Sequence, residues 1–182
     1  AGLFAEGMRA GPAPAATWST GSTEPPWGAA EALTNAASHF FCSPHVWSAA
    51  PGLVSETPLP RQSSPEMTRS QWAAWATGQA LLGGAVSLPP PPGGYDEGTM
   101  RVLKRLLPVY QRSARPVDLF DPAGPRIWHL PIETGAGHWD LVGVFNWSET
   151  EPAEVAVPLN ALGIPEGAYC TVFGFWEEQY HG

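Results

Sequence analysis

The spacing of apolar residues along the chain changes near Gln111. Before it they recur at helical intervals; after it they follow strand-like intervals. Residues 29–40, rich in alanine, predict a first helix. A short extended piece follows at His45-Val46-Trp47. Ser64-Pro65-Glu66 has the form of a helix start, with a capping serine, proline at the first helical position and an acid in the first turn. In the helix that follows, Trp72, Trp75, Ala76, Gln79 and Ala80 share one face, and Gly83-Gly84 ends it. Ala85-Val86-Ser87-Leu88 reads as a short buried strand, and Pro89 to Gly94 as a surface loop. Asp96 is placed to cap another helix, whose apolar face is Met100, Leu103, Leu106, Leu107 and Tyr110.

Beyond Pro116 the pattern predicts strands at about 127–132, 138–147, 154–159 and 169–176. In the second, Trp139, Leu141, Phe145 and Trp147 point one way, and Val142 and Val144 the other. A strand apolar on both faces is expected between two layers. Trp128, Trp139, Trp147 and Trp176 then belong to the interior of an antiparallel β-sandwich or meander. In the third, Val155, Val157 and Leu159 line one face. Strand, helix, strand and helix ahead of an all-β block is the order expected of the end of a β/α barrel leading into a β-domain, divided here as residues 1–112 and 113–182. Eight βα units need about 250 residues, so any barrel in this chain is incomplete.

Composition narrows the function. The chain has 182 residues, 43% of them apolar, enough for one sizeable core or two small ones. With 21 prolines and 20 glycines, turns and irregular connections are frequent. The net charge is −8 and Lys104 is the sole lysine, which argues against nucleic acid and anionic membranes as partners. No apolar run is long enough to span a bilayer, and Ala1-Gly2-Leu3-Phe4 lacks the pattern of a signal peptide. That start, without methionine, suits a processed or truncated piece, and the location stays open. Cys42 and Cys170 fit no zinc spacing and are expected as buried free thiols, ahead of a disulfide. His39 and His45 lack a third ligand, so neither a metal nor another cofactor is expected. Ser87 and Ser148 lack the setting of a hydrolase nucleophile. Asn146-Trp147-Ser148 forms a glycosylation triplet inside an expected strand.

Two segments carry a family resemblance. Met-Arg-Ala-Gly-Pro-Ala-Pro-Ala-Ala-Thr-Trp at 8–18 and Val-Trp-Ser-Ala-Ala-Pro-Gly-Leu-Val at 46–54 resemble parts of α-galactosidase-like glycoside hydrolases of the melibiase and raffinose-synthase clan. There the patterns run M-R-x-x-x-D-x-x-x-x-W and W-x-N-D-P-D-x-L. Residues 71–88 resemble the family's penultimate helix and last barrel strand. Residues 103–122, with Ala-Arg-Pro and Val-Asp-Leu-Phe-Asp-Pro, resemble the junction to its β-domain, and 126–147 and 173–176 that domain's core strands.

The resemblance implies retaining chemistry on α-galactosides, run by two carboxylates about 5–5.5 Å apart. This chain has Ala13, Ala50 and Gly52 where the family has acids. The family's nucleophile strand would lie upstream of residue 1. Residues 10–23 contain no Asp or Glu, so the proton-transfer step has no agent at the expected place. Glu24 and Glu56 are the first carboxylates downstream of the two motif positions and are expected as solvated loop groups.

No catalytic residue is therefore assigned. The resemblance places Arg9 against sugar hydroxyls, a task suited to its planar fork of donors, while a loop arginine pairing with an acid is an equal reading. Trp18 and Trp47 are candidates for platforms under a sugar ring, although most tryptophans are core residues. Three functions follow: an inactive C-terminal fragment of such a glycosidase, a non-catalytic carbohydrate-binding or interaction module, or a chain that self-associates or joins a second polypeptide supplying the rest of the barrel.

Overall fold

The computed structural model describes residues 7–9, 17–42, 48–50, 67–84 and 97–181. Strand β1 (Gly7–Arg9) and helix α1 (Ala29–Ser38) come first, followed by a 3₁₀ turn at Phe40–Cys42. Strand β2 (Ser48–Ala50) and helices α2 (Arg69–Leu82) and α3 (Glu97–Leu106) follow. Strands β3 (Arg115–Pro116), β4 (Ile127–Thr134) and β5 (Gly137–Val144), a 3₁₀ turn at Leu159–Leu162, and β6 (Val172–Gly174) and β7 (Gln179–His181) complete the order. The fold is mixed α/β. It has a parallel pair β1–β2, an antiparallel sheet ordered β3-β4-β5 and an antiparallel hairpin β6–β7.

Helix α1 buries an alanine-rich face around Leu33, which is fully enclosed. Small residues let it approach α2 closely. A Cβ on Gly78 of α2 would lie 2.5 Å from Leu33 Cδ2, so the leucine sits where only glycine leaves room. The amides of Ala29 and Ala30 donate to the carbonyls of Thr17 and Trp18, which satisfies donors that a helix N-terminus leaves open.

Helix α2 starts at a different cap from the one expected. Thr68 Oγ1 accepts from the Gln71 amide at 3.2 Å, and Gln71 Oε1 accepts from the Thr68 amide at 2.7 Å, a reciprocal capping box. Ser64 to Glu66 lie outside the described residues. The reciprocal Thr68–Gln71 pair satisfies two donors together, which a serine followed by proline does not. At the other end Gly83 adopts φ +65°, as expected, and a Cβ there would fall 2.1 Å from the Arg112 carbonyl oxygen. Trp72, Trp75, Ala76 and Gln79 are buried, while Ala80 is only half-buried.

Helix α3 ends at Leu106, short of the expected face. Pro108 has no amide to donate and restricts the residue before it. Val102 and Leu103 are buried, whereas Met100 and Leu107 are 37% and 38% exposed. The strand expected at 85–88 and the cap at Asp96 lie outside the described residues.

In the β half, β4 and β5 pair over eight residues, from Ile127↔Val144 to Thr134↔Gly137, around a tight turn at Gly135-Ala136. Trp128, Leu130 and Ile132 on one face of β4 join a single buried cluster with Trp18, Leu33, Trp75, Leu81 and Phe145. Among the described residues this face packs on helices α1 and α2, and no second sheet lies on it. The expected sandwich interior is thus reduced. Trp128 is fully buried and Trp147 partly so, but Trp139 is 46% exposed. Leu141, Val142 and Val144 of β5, the edge of the sheet among the described residues, are exposed as well. Trp176 packs on the helices beside Trp72, Ala76 and Val102, with its indole donating to Thr77 Oγ1 at 2.9 Å.

No strand forms at 154–159. Val155 and Val157 are half-buried and Glu154 and Ala156 exposed, so the alternation of burial persists without a ladder. Pro152 and Pro158 bracket the stretch and supply no amides. The last expected strand shortens to Val172–Gly174.

Candidate functional site

The two segments that carry the resemblance meet in the parallel pair. Gly7 stands opposite Ser48, Met8 opposite Ala49 and Arg9 opposite Ala50. The chain leaves β1, passes through α1 and returns to β2 alongside, a strand–helix–strand crossover. Arg9, the expected sugar-facing residue, is therefore a direct register neighbour of Ala50, where the family carries an acid. Trp47, Ala13, Gly52 and Glu56 lie outside the described residues.

Trp18 lies between β1 and α1, but the residue is only 3% exposed. It stacks on Trp147 at 6.0 Å between centroids, with its indole donating to the Trp147 carbonyl at 3.1 Å. Trp147 in turn stacks on Phe145 at 4.9 Å, and Phe145 lies against Trp128 at 4.7 Å. Instead of an open platform, Trp18 is the first ring of an aromatic column that ties the loop to the sheet. The physical cause is that three aromatic faces at consecutive positions of this column exclude water more completely than one exposed ring on a loop.

The loop after Trp18 is organised by one carboxylate. Glu31 Oε1 accepts from the Ser19 hydroxyl and from the amides of Thr20 and Gly21, both at 3.1 Å, while Oε2 accepts from the Gly28 amide at 2.9 Å. Burial pushes this carboxyl up, but the Ser19 hydroxyl and the backbone amides outweigh it and hold the group below the usual carboxylate range. Glu31 also lies in the first turn of α1, where a negative charge suits the helix dipole. Gly28 closes the loop so tightly that a Cβ on it would lie 2.6 Å from the Trp18 carbonyl oxygen. Glu24 sits on the outside of this loop, exposed, with its backbone amide and carbonyl engaged by Ser22 Oγ. It has the position of a solvated carboxylate, as expected.

The remaining candidates take structural places. His39 lies with Nδ1 2.8 Å from the Asn35 carbonyl, capping α1 from the side; His45 lies outside the described residues. Among the described residues no three His, Cys, Asp or Glu side chains gather as a metal site would require. Cys42 is buried and free, as expected; Cys170 is free but exposed, since no strand forms around it to cover it. Ser148 Oγ accepts from the amides of Thr150 and Glu151 in a turn. Asn146 lies in that turn and not in a strand, donating through Nδ2 to the Glu151 carbonyl. Asp118 of the junction motif accepts from the amides of Arg126 and Ile127, and Asp121 pairs with Arg126 at 3.5 Å, so both carboxylates brace the loop into β4.

Two arrangements had no clear sequence signal. His129 of β4, 6% exposed, has Nε2 2.7 Å from Asp140 Oδ1 on β5. The pair is diagonal in the register, a relation that no local spacing reveals. On the terminal hairpin, Phe173 and Tyr180 stand opposite each other with ring centroids 4.9 Å apart, 47% and 75% exposed. No known protein-family profile, curated protein or solved structure matches this chain.

Proposed function

We propose that the chain is the C-terminal portion of an α-galactosidase-like glycoside hydrolase, comprising the end of a β/α barrel and a β-domain, and that it is catalytically silent on its own. The observation that carries this reading is the parallel register of β1 with β2, which sets the two motif segments side by side with Arg9 next to Ala50. Residues 8–18 and 46–54 are about forty positions apart in sequence, and a family pocket requires them to be neighbours. In this reading Arg9 and Trp47 face an α-galactoside, and Trp18 holds the loop between them from the core side. Ala13 cannot transfer a proton, and Glu24 projects from the far end of a loop pinned by Glu31.

A chromogenic α-galactoside assay on the purified chain tests the silent state. No turnover above buffer is expected, and turnover that disappears in Glu24→Gln or Glu56→Gln would overturn it. The exposed Phe173–Tyr180 pair favours a second reading, a non-catalytic carbohydrate-binding module, because open aromatic faces stack on sugar rings. Calorimetric titration with galactose, melibiose and raffinose separates the two. Millimolar binding lost in Tyr180→Ala supports the module, and binding lost only in Arg9→Ala supports the barrel pocket.

A further inference from the structure

Strand β5 combines three properties that rarely occur together in a strand left open. It is eight residues long, it is the edge of its sheet, and it exposes apolar side chains on both faces. Among the described residues no strand lies beyond it. Trp139 and Leu141 are 46% and 39% exposed on one face, and Val142 and Val144 are 38% and 50% exposed on the other. The strand carries no lysine, arginine or proline, the residues that usually blunt such edges.

Its free hydrogen-bonding groups can be assigned. The Phe145 amide donates to the Arg126 carbonyl at 2.8 Å, so odd-numbered residues of this stretch turn their backbone groups toward β4. Antiparallel pairing alternates, and the amides and carbonyls of His138, Asp140, Val142 and Val144 therefore face outward. An added antiparallel strand must present outward-facing groups of its own at the matching positions.

We infer that this edge pairs with the same edge of a second copy of the chain, antiparallel about a twofold axis at Leu141. In that register Asp140 stands opposite the partner's Val142, and His138 opposite the partner's Val144. All four are outward-facing residues, so the ladder closes from both sides. Leu141 meets the partner's Leu141, and Trp139 meets the partner's Gly143, a large side chain against none. Neither of the polar residues of the strand faces a like charge. The register centred on Asp140 would oppose two carboxylates, and those centred on Trp139 and Val142 would each overlap only five residues of the strand, 137–141 and 140–144, against seven for the one at Leu141. Self-complementarity of charge and size thus selects a second copy as the occupant, and one register for it. Asp140 keeps its place beside His129, since that contact lies within the chain.

Sedimentation velocity from micromolar to a few hundred micromolar protein is expected to show a monomer–dimer equilibrium. Val144→Lys, an edge-blunting change at an outward residue, should weaken it at least about tenfold while leaving the far-UV circular dichroism unchanged. Cross-linking tests the register without relying on that variant. Residues opposite each other at a non-hydrogen-bonded position lie about 4.5 Å apart at Cα, within disulfide reach. In a Cys170→Ser background, oxidised Leu141→Cys should form a covalent dimer and His138→Cys should not. A wild-type chain that stays monomeric throughout would overturn the inference. So would equal cross-linking of the two cysteine variants, or a folded Val144→Lys that dimerises as well as wild type.

Discussion

Glu31 shows how a single side chain fixes a loop that composition leaves free. Residues 19–26 hold three glycines or prolines and no large apolar side chain, yet four donors from this loop and Gly28 converge on one carboxylate. Replacement by glutamine keeps the shape but removes the charge and one acceptor. Hydrogen bonds to a charged group contribute about 1.5–3 kcal/mol each when buried; for this partly exposed group a total loss of about 1–2 kcal/mol is expected in Glu31→Gln. The pH dependence has a definite sign. The folded-state carboxyl titrates below its unfolded value, so its contribution is complete above the ordinary glutamate range and fades as the pH falls through the depressed folded value. Urea melts of wild type and Glu31→Gln should therefore differ at neutral pH and converge in acid. A constant gap down to the lowest pH would show that the charge is not what holds the loop. None of this was legible in the sequence, because the donors are backbone amides, and a Glu three residues after a glycine signals only half of a capping box.

At the scale of elements, the helices were legible and the strands only partly so. Leu33 and its alanines, or Trp72, Trp75 and Gln79, repeat at the helical period, and that period determines a face whatever lies opposite. Alternation does not determine pairing. Residues 154–157 alternate in burial yet join no ladder, and β5, apolar on both faces and expected between two layers, leaves Val142 and Val144 exposed on one of them. What lies beside a strand is set by distant parts of the chain. The terminal hairpin depends on such a distant contact. The Arg105 guanidinium near the end of α3 lies 4.3 Å from the Phe175 ring centroid, pairs with Glu178 at 2.9 Å and donates to the Phe175 carbonyl. Glu178 holds φ +57°, a left-handed conformation that a glutamate adopts at some cost. The ion pair alone is worth little, since Glu178 is well exposed, but the fork, the stack and the indole of Trp176 act on one turn. Arg105→Ala should cost about 1–2 kcal/mol in total, and should shift tryptophan emission to the red as Trp176 and Trp72 gain water. Arg105→Lys, which keeps the charge without the planar fork, should recover less than half of that loss.

Across the whole molecule, the candidate site is held by residues that sequence alone assigns to different regions. The resemblance placed Arg9 and Ala50 in related motifs, and the register of β1 with β2 brings them together; Trp18 went to the core because Trp147 and Phe145, more than a hundred positions away, offer it a stack. The same cluster runs without a break from Trp18, Leu33 and Trp75 to Trp128, Leu130 and Phe145. The buried face of the β3–β5 sheet is therefore covered by helices from the other side of residue 112. Two close contacts reinforce this: the Ala114 amide donates to the Leu81 carbonyl at 2.7 Å, and a Cβ on Gly143 would fall 2.4 Å from Leu81 Cδ1. A region with its own core survives separation, whereas one that shares a core exposes it. Residues 113–182 expressed alone should thus lack dispersed amide resonances and bind a hydrophobic dye, since Trp128, Leu130 and Ile132 lose the helices that exclude water from them. In the whole chain, tryptophan fluorescence and far-UV circular dichroism should follow a single urea transition, as one cooperative core requires. Two separated transitions, or a well-folded isolated β half, would mean that the shared cluster is a contact between two independent cores, and that the helices contribute little to the stability of the sheet.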